Sequence, residues 1–442
     1  VGVKVAKFGG TSLADAAQFR KVKAIIEMDP DRRYIVNSAP GKRHSTDIKV
    51  TDLLYECKKS IAIPSIFEEC IRTVHDRFQD IIDELNVELD IKPYIDEIKD
   101  RIKAGATDDY TASRGEYLNG IILAKFLGYE FVDPATVILF GADGQLEAEK
   151  TYSQVAYRLQ NSQSAVIPGF YGADAAGNIV TFSRGGSDIT GAIVARSVNA
   201  QIYENWTDVS GILAADPRIV EYPAPISSIS YRELRELTSM GASVLHEDAV
   251  YPVMEAGIPI NIKNTNRPHD PGTIVLKQAK SSGNKTIPTG ISGKKGFAML
   301  SLSGKNVKSG NQYMQQILKL SEELKLNDKY ILSGVDQLSL ILQNNIPADA
   351  MNEVREKYLS LSENFSIIND VSLITIVGEG LDKKRILAKA ALALKEASVE
   401  MLLAISSSDQ SILIGVRDRD IEKAINQIYK ACFMKKNRDH VA

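Results

Sequence analysis

Cysteine is scarce in this chain: Cys57, Cys70 and Cys432 are the whole complement of 442 residues, an odd number without a CxxC spacing. That excludes a disulfide framework and a paired-thiol zinc site, and it fits a protein of the reducing cytoplasm. Net charge is equally sparse, since 53 basic and 56 acidic residues leave a formal -3. No field exists for gathering a polyanion, so nucleic acid is not an expected partner. Lys435, Lys436 and Arg438, with Asp439 directly after them, read as a solvated tail. No apolar run approaches about 18 residues, and the opening stretch 1–8 is interrupted by Lys4 and Lys7. Neither a membrane span nor a secretory signal is expected. Also absent is the pattern GxxxxGK[ST], which excludes a P-loop.

What is present is ordinary globular composition, 44% hydrophobic and 25% charged, at a length that predicts two or three domains. Through the first two thirds, β-type runs alternate with helix-type segments: 3–8, then 13–27, then 34–36, the mark of an α/β layer fold with a mostly parallel sheet. Further strands are predicted at 165–168, 179–182, 202–206 and 259–262, and helices at 66–85, 115–126, 187–195 and 246–255. A hairpin tip is predicted at 172–177. Residues 277–285 (KQAKSSGNK) lose all periodicity and read as a linker. Beyond it a β-α-β-β-α-β rhythm occurs twice, first over 297–361 and again over 371–432.

Four segments carry candidate chemistry. In KFGGTS (7–12) a strand gives way to a helix through Gly9 and Gly10, which let backbone N–H groups approach an anion. Lys7 adds a mobile cation there, and Ser12 can cap the following helix or offer its hydroxyl to a ligand. In SRGGSD (183–188) the same physics recurs, with Arg184 as a fork for a carboxylate, Ser187 as a hydroxyl, and Asp188 able to orient Lys7 or a metal-bound water. Glu116, in ASRGE (112–116), is read as a carboxylate at a helix start, where it stays ionised and can hold an ammonium group. Thr207 and Asp208 follow the strand ending near Trp206, with Asp216-Pro217-Arg218 shortly after, and suit a nucleotide's ribose, base edge or phosphates. Each segment alone also fits a bland account: a tight turn, an N-cap, a helix-dipole partner or a Pro/Gly loop.

Taken in order, KFGGTS (7–12), SAPGKR (38–43), ASRGE (112–116), VIPGFYGAD (166–174), FSRGGSD (182–188), NWTDVSGI (205–212) and DPRIV (216–220) resemble the aspartate kinase family of amino-acid kinases. The tail resembles the paired ACT domains of these enzymes. The resemblance implies a three-layer α/β amino-acid-kinase fold over 1–280 with a mostly parallel central sheet. Two ferredoxin-like (ACT) βαββαβ domains would follow over 290–366 and 367–442. It implies phosphorylation of the L-aspartate β-carboxylate by ATP with Mg2+, giving 4-phospho-L-aspartate, the first step toward lysine, threonine and methionine. By the same resemblance Lys7, Gly9 and Gly10 contact ATP phosphates, with Ser12 between nucleotide and substrate. Thr51, Glu116, Arg184 and Ser187 hold aspartate, Asp188 positions Lys7, and Thr207, Asp208 and Arg218 meet the nucleotide. The metal is expected to come with ATP, and no residue is assigned to it.

ACT resemblance further implies strands paired across subunits in a homodimer or homotetramer. An amino-acid effector, lysine by preference and threonine as rival, would bind near Asn306, Ser309 and Asn311. Two departures stand out: Leu213 where the family often has an aromatic residue, and Ser243 to Glu247 where it often has a lysine followed by His-Pro. The missing lysine would touch ATP, so a neighbouring cation must replace it or nucleotide binding weakens. His246 is read as structural. The alternatives are a different amino-acid kinase, against which KFGGTS and ASRGE speak, and a catalytically silent ACT-type sensor, against which Lys7, Glu116, Arg184 and Asp188 together speak. At this length no fused dehydrogenase is expected.

Overall fold

Alternation along one strand sets the layers. In Lys4–Phe8, Ala6 and Phe8 enter an apolar core with residues of the helices Ala16–Glu27, Pro64–Leu85 and Asp108–Leu127, whereas Lys7 turns to the opposite face. There the helix Gly186–Ser197 lies so close that a Cβ on Gly191 would meet the Tyr203 hydroxyl at 2.5 Å. The computed structural model describes residues 2–183, 185–241, 245, 247–278, 286–304, 311–347 and 349–434. By contacts the chain forms two units: Val1–Ile212 with Pro225–Arg235 and Ser243–Lys280, and Leu213–Ala224 with Glu236–Ala242 and Ser281–Ala442.

The first unit is built on an eight-stranded sheet in the order Ser228–Ser230, Thr273–Leu276, Ile260–Asn264, Ile202–Thr207, Lys4–Phe8, Arg32–Asn37, Ala165–Pro168, Glu130–Phe131. Its one antiparallel pairing joins Ile260–Asn264 to Thr273–Leu276, so the expected mostly parallel sheet is what forms. Below the central strands Arg32 grips Glu204 through Nε (2.6 Å) and Nη2 (3.1 Å), and the Trp206 indole N–H donates to the same carboxylate at 2.9 Å. Removing either partner of such a buried pair costs about 3–5 kcal/mol, so this cluster fixes Ile202–Thr207 against its neighbours.

The helix predicted to open at 115 begins at Asp108 instead. Thr107 caps it by accepting from the Tyr110 N–H at 3.1 Å, and Asp108 and Asp109 fill the first turn. Gly115 and Gly120 let it press onto the strand ends: a Cβ on Gly115 would meet the Ala39 Cβ at 2.8 Å, and one on Gly120 would meet Pro168 Cγ at 2.6 Å. The hairpin expected around 172–177 forms between Tyr171–Asp174 and Ile179–Thr181.

The second unit has one six-stranded antiparallel sheet, ordered Asp328–Ser333, Gln337–Leu342, Gly290–Ser303, Asn364–Val377, Ser411–Arg417, Leu403–Ile405. Two βαββαβ rhythms share it through the long strands. Gly290–Lys294 pairs with Leu373–Val377, and Phe297–Ser303 pairs with Asn364–Val371. The expected division between 366 and 367 therefore falls inside Asn364–Val377. Segments 213–224 and 236–242, expected in the kinase portion, pack with this unit: the Tyr429 hydroxyl accepts from the Ala224 N–H at 2.8 Å, and Ser292 Oγ donates to the Met240 carbonyl at 2.7 Å. Among the described residues no helix is long and apolar enough to cross a membrane.

Candidate active site

The C-terminal ends of the central parallel strands carry the turns in which ligands of α/β sheets bind. After Phe8 the chain stays in register for one more bond, from the Gly9 N–H to the Trp206 carbonyl at 3.0 Å, and then tightens into the 3-10 turn Gly10–Leu13. Ser12 does not cap the next helix. Asp15 does, its carboxylate accepting from the Gln18 N–H at 2.9 Å, and the Ser12 hydroxyl shares a 2.7 Å hydrogen bond with that of Thr265.

The next turn, Ser38 to Gly41, lies on this one. Gly41 N–H donates to the Gly10 carbonyl at 2.8 Å. A Cβ on Gly41 would stand 2.7 Å from the Gly10 carbonyl carbon, and one on Gly10 would stand 2.9 Å from the Ala39 oxygen. Backbone cannot swing aside as a side-chain tip does. Gly41→Ala is therefore expected to cost about 1–3 kcal/mol, read as a lowered urea midpoint. An unchanged midpoint would show that the two turns are free to separate.

Lys7 emerges at the strand end with its ammonium held by Asp188, Nζ to Oδ1 2.5 Å. Asn205 Nδ2 donates to the same oxygen at 2.9 Å and fixes its direction. Asp188 lies in the first turn of Gly186–Ser197, a helix entered through Gly185 at φ 61, where the left-handed backbone favours glycine. Ser187, beside it, is buried against Gly169, on which a Cβ would collide with the Ser187 backbone at 2.6 Å. A Cβ on Gly9 would lie only 3.7 Å from Lys7 Nζ, so the cation sits over the glycine turn.

Glu116 overturns its sequence reading. It is the ninth residue of Asp108–Leu127, not a first-turn acid, and it is buried with Oε2 unpartnered. Burial pushes its carboxyl up to about 7, against the Ala39 N–H and the charges of Arg114 and Lys7. Arg114 itself is boxed by Tyr110, Tyr117 and Tyr171, whose ring centres lie 4.5, 4.6 and 5.1 Å from its guanidinium carbon. Thr51 lies half-buried in the first turn of Val50–Lys59.

The structure thus brings Lys7, Gly9, Gly10, Ser12, Glu116, Ser187 and Asp188 to one edge of the sheet. Thr207 is at the end of its strand, donating to Asp208 at 3.2 Å, and Asp208 is exposed. Arg218 and Leu213 belong to the second unit; Arg218 is 87% exposed, its guanidinium turned back onto Asp216 at 2.6 Å. Arg184, Ser243, His246, Asn306 and Ser309 lie outside the described residues, and Asn311 opens the helix Asn311–Glu323. Sequence reasoning passed over Asn205 and Phe170. Phe170 stands at φ 83 with its N–H on the Thr190 hydroxyl at 3.1 Å, a strained position for a bulky residue. Asn205 had a signal in its spacing, two residues from Tyr203 on the Lys7 face of the sheet.

A model of the amino acid kinase family matches residues 2–264. The chain therefore belongs to the amino acid kinase family. Aspartokinase 3 of Bacillus subtilis is 34% identical over 98% of this chain and 99% of its own length. The crystal structure of the Clostridium acetobutylicum aspartate kinase, an allosteric enzyme, matches with a TM-score of 0.90 at 44% identity, over 97% of this chain and 100% of that one. Within the family its place is among the aspartate kinases. Escherichia coli aspartokinase III shares the fold at 20% identity, over 98% of this chain and 100% of that one. The TM-score is 0.77 in complex with aspartate and ADP (R-state), and 0.74 in complex with lysine and aspartate (T-state).

Proposed function

We propose that the enzyme transfers the γ-phosphoryl group of ATP to the β-carboxylate of L-aspartate, giving 4-phospho-L-aspartate, at the strand edge occupied by Lys7 and Asp188. The observation that carries this is the Lys7 ammonium, held at 2.5 Å by Asp188 over the glycine turn and acting electrostatically on a buried Glu116. The acceptor carboxylate has a reference pKa near ~4 and is ionised at neutral pH, so the reaction calls for no general base. Its difficulty is to bring an anion to a polyphosphate, which fixed cations and backbone N–H groups relieve. In this reading Lys7, Gly9, Gly10 and Ser12 face the phosphates, and Thr207 and Asp208 the rest of the nucleotide. Glu116 takes the ammonium of aspartate, Arg184, Ser187 and Thr51 take the remainder, and Asp188 aims Lys7. Mg2+ would enter on ATP.

The product would feed lysine, threonine and methionine synthesis in the cytoplasm. The second unit would bind lysine near Asn306, Ser309 and Asn311, as a homodimer or homotetramer joined through its sheets. Support for lysine is the T-state complex of the E. coli protein of the same fold. A coupled ADP-release assay with aspartate, glutamate or no acceptor is the test, and turnover is expected with aspartate alone. Equal rates with glutamate would refute the substrate assignment, and indifference to added lysine and threonine would remove the effector.

A further inference from the structure

One buried arginine outside the reacting edge ties together the segments on which that reading depends. Arg77, near the middle of Pro64–Leu85, is 4% exposed. Its Nη1 donates to Asp47 Oδ2 at 2.6 Å, and its Nη2 donates to the carbonyls of Gly41 at 2.7 Å and Ala14 at 3.3 Å. Ala14 directly follows the glycine turn Gly10–Leu13. Asp47 is held a second time by Arg43, whose backbone N–H (2.8 Å) and Nε (3.0 Å) both donate to Oδ2.

One planar group therefore clamps three points: the exit of the glycine turn, the end of the 38–41 turn and the far end of the loop at Asp47. A lysine could not reproduce this, because its ammonium lacks the rigid fork that serves two carbonyls and a carboxylate together. The clamped loop does two things at the site. Its Gly41 N–H holds the Gly10 carbonyl at 2.8 Å, and its Ala39 side chain packs on the helix Asp108–Leu127 beside Glu116, where a Cβ on Gly115 would meet the Ala39 Cβ at 2.8 Å. The turn facing the phosphates and the carboxylate facing the amino group are thus spaced by one loop, whose own position depends on Arg77.

We propose that Arg77 is a positioning residue for phosphoryl transfer, setting the distance between the two bound reactants through the loop 38–47 while touching neither of them. The proposal rests on the assignment of Gly10 and Glu116 to nucleotide and aspartate made above. Displacement of reacting groups by about 1 Å is enough to cost on the order of 10²-fold in rate.

The test uses the full chain carrying Arg77→Lys and, separately, Asp47→Asn, which cuts the same link from the half-exposed loop side. Thermal unfolding is measured alongside kcat and the KM for aspartate. Both variants are expected to unfold cooperatively, with kcat lowered at least tenfold and the KM for aspartate raised at least fivefold. Combined, they should lose little more than the worse single variant. A merely structural role would reduce the amount of active enzyme and leave KM at the parent value, which overturns the proposal. So would folded variants whose kcat stays within twofold of the parent. Should the parent itself show no aspartate-dependent turnover, the site assignment would fall and take this proposal with it; parent turnover with unaffected variants would sink the proposal alone.

Discussion

Lys7→Ala is expected to lower kcat for aspartate-dependent ADP release on the order of 10²- to 10³-fold, with the far-ultraviolet circular dichroism of the parent retained. The size of the effect follows from where the ammonium is held. Asp188 fixes it at 2.5 Å, Asn205 fixes Asp188 at 2.9 Å, and the strand ladder fixes Lys7 opposite Asn205, so the charge is placed before any reactant arrives. Preorganised charge of this kind acts on the transition state without reorganising, which is why its loss appears in kcat more than in KM. Asp188→Asn is expected to lose less, because the cation remains and only its aim is released. Should Lys7→Ala retain more than a tenth of the parent kcat, Lys7 is not the group that meets the transferred charge.

Lys7, Gly9, Gly10 and Asp188 were legible as candidates because the signal they carry is local. Paired glycines beside a charged residue at a strand-to-helix junction mark an anion site whatever surrounds them. Glu116 was legible as a candidate but not in its state, since two distant facts decide that state. Thr107 and the two aspartates after it start the helix seven residues before Gly115, and Gly115 and Gly120 then sink it onto the ends of neighbouring strands. Arg77 left no local mark, because within an amphipathic helix a single arginine reads as surface, and only the fold reveals the three oxygens around it. The shared sheet of the second unit escaped for a related reason: Asn364–Val377 continues as one strand through a left-handed residue at Asp370 (φ 57), and the sequence does not say that the stretches on either side of it stay in one sheet.

The buried state of Glu116 leads to opposite consequences for stability and for activity. Its folded-state pKa is raised from the reference 4.5 to about 7 by burial. Below the reference value both folded and unfolded chains carry the proton, and no penalty exists. As pH rises from there through about 7, the unfolded chain ionises freely while the folded one must ionise a desolvated group, so stability is lost across that window. The loss is a few kcal/mol at most, from about 1.4 kcal/mol for each pKa unit. Glu116→Gln has no proton to lose. The midpoint of thermal unfolding, variant minus parent, should therefore be larger at pH 8 than at pH 5. Activity should move the other way. Holding an ammonium requires the ionised acid, so in the parent kcat/KM for aspartate should fall about tenfold per unit below pH 7. In Glu116→Gln that limb should vanish and the plateau should lie at least about 30-fold lower, since a charge-assisted bond of roughly 2 kcal/mol is gone. Once aspartate is bound its ammonium favours the ionised acid, so the parent kcat should stay flat where kcat/KM has begun to fall. A parent kcat/KM that is level from pH 6 to 8, or a glutamine variant less stable than the parent at pH 8, would show that Glu116 is solvated and ionised before substrate arrives.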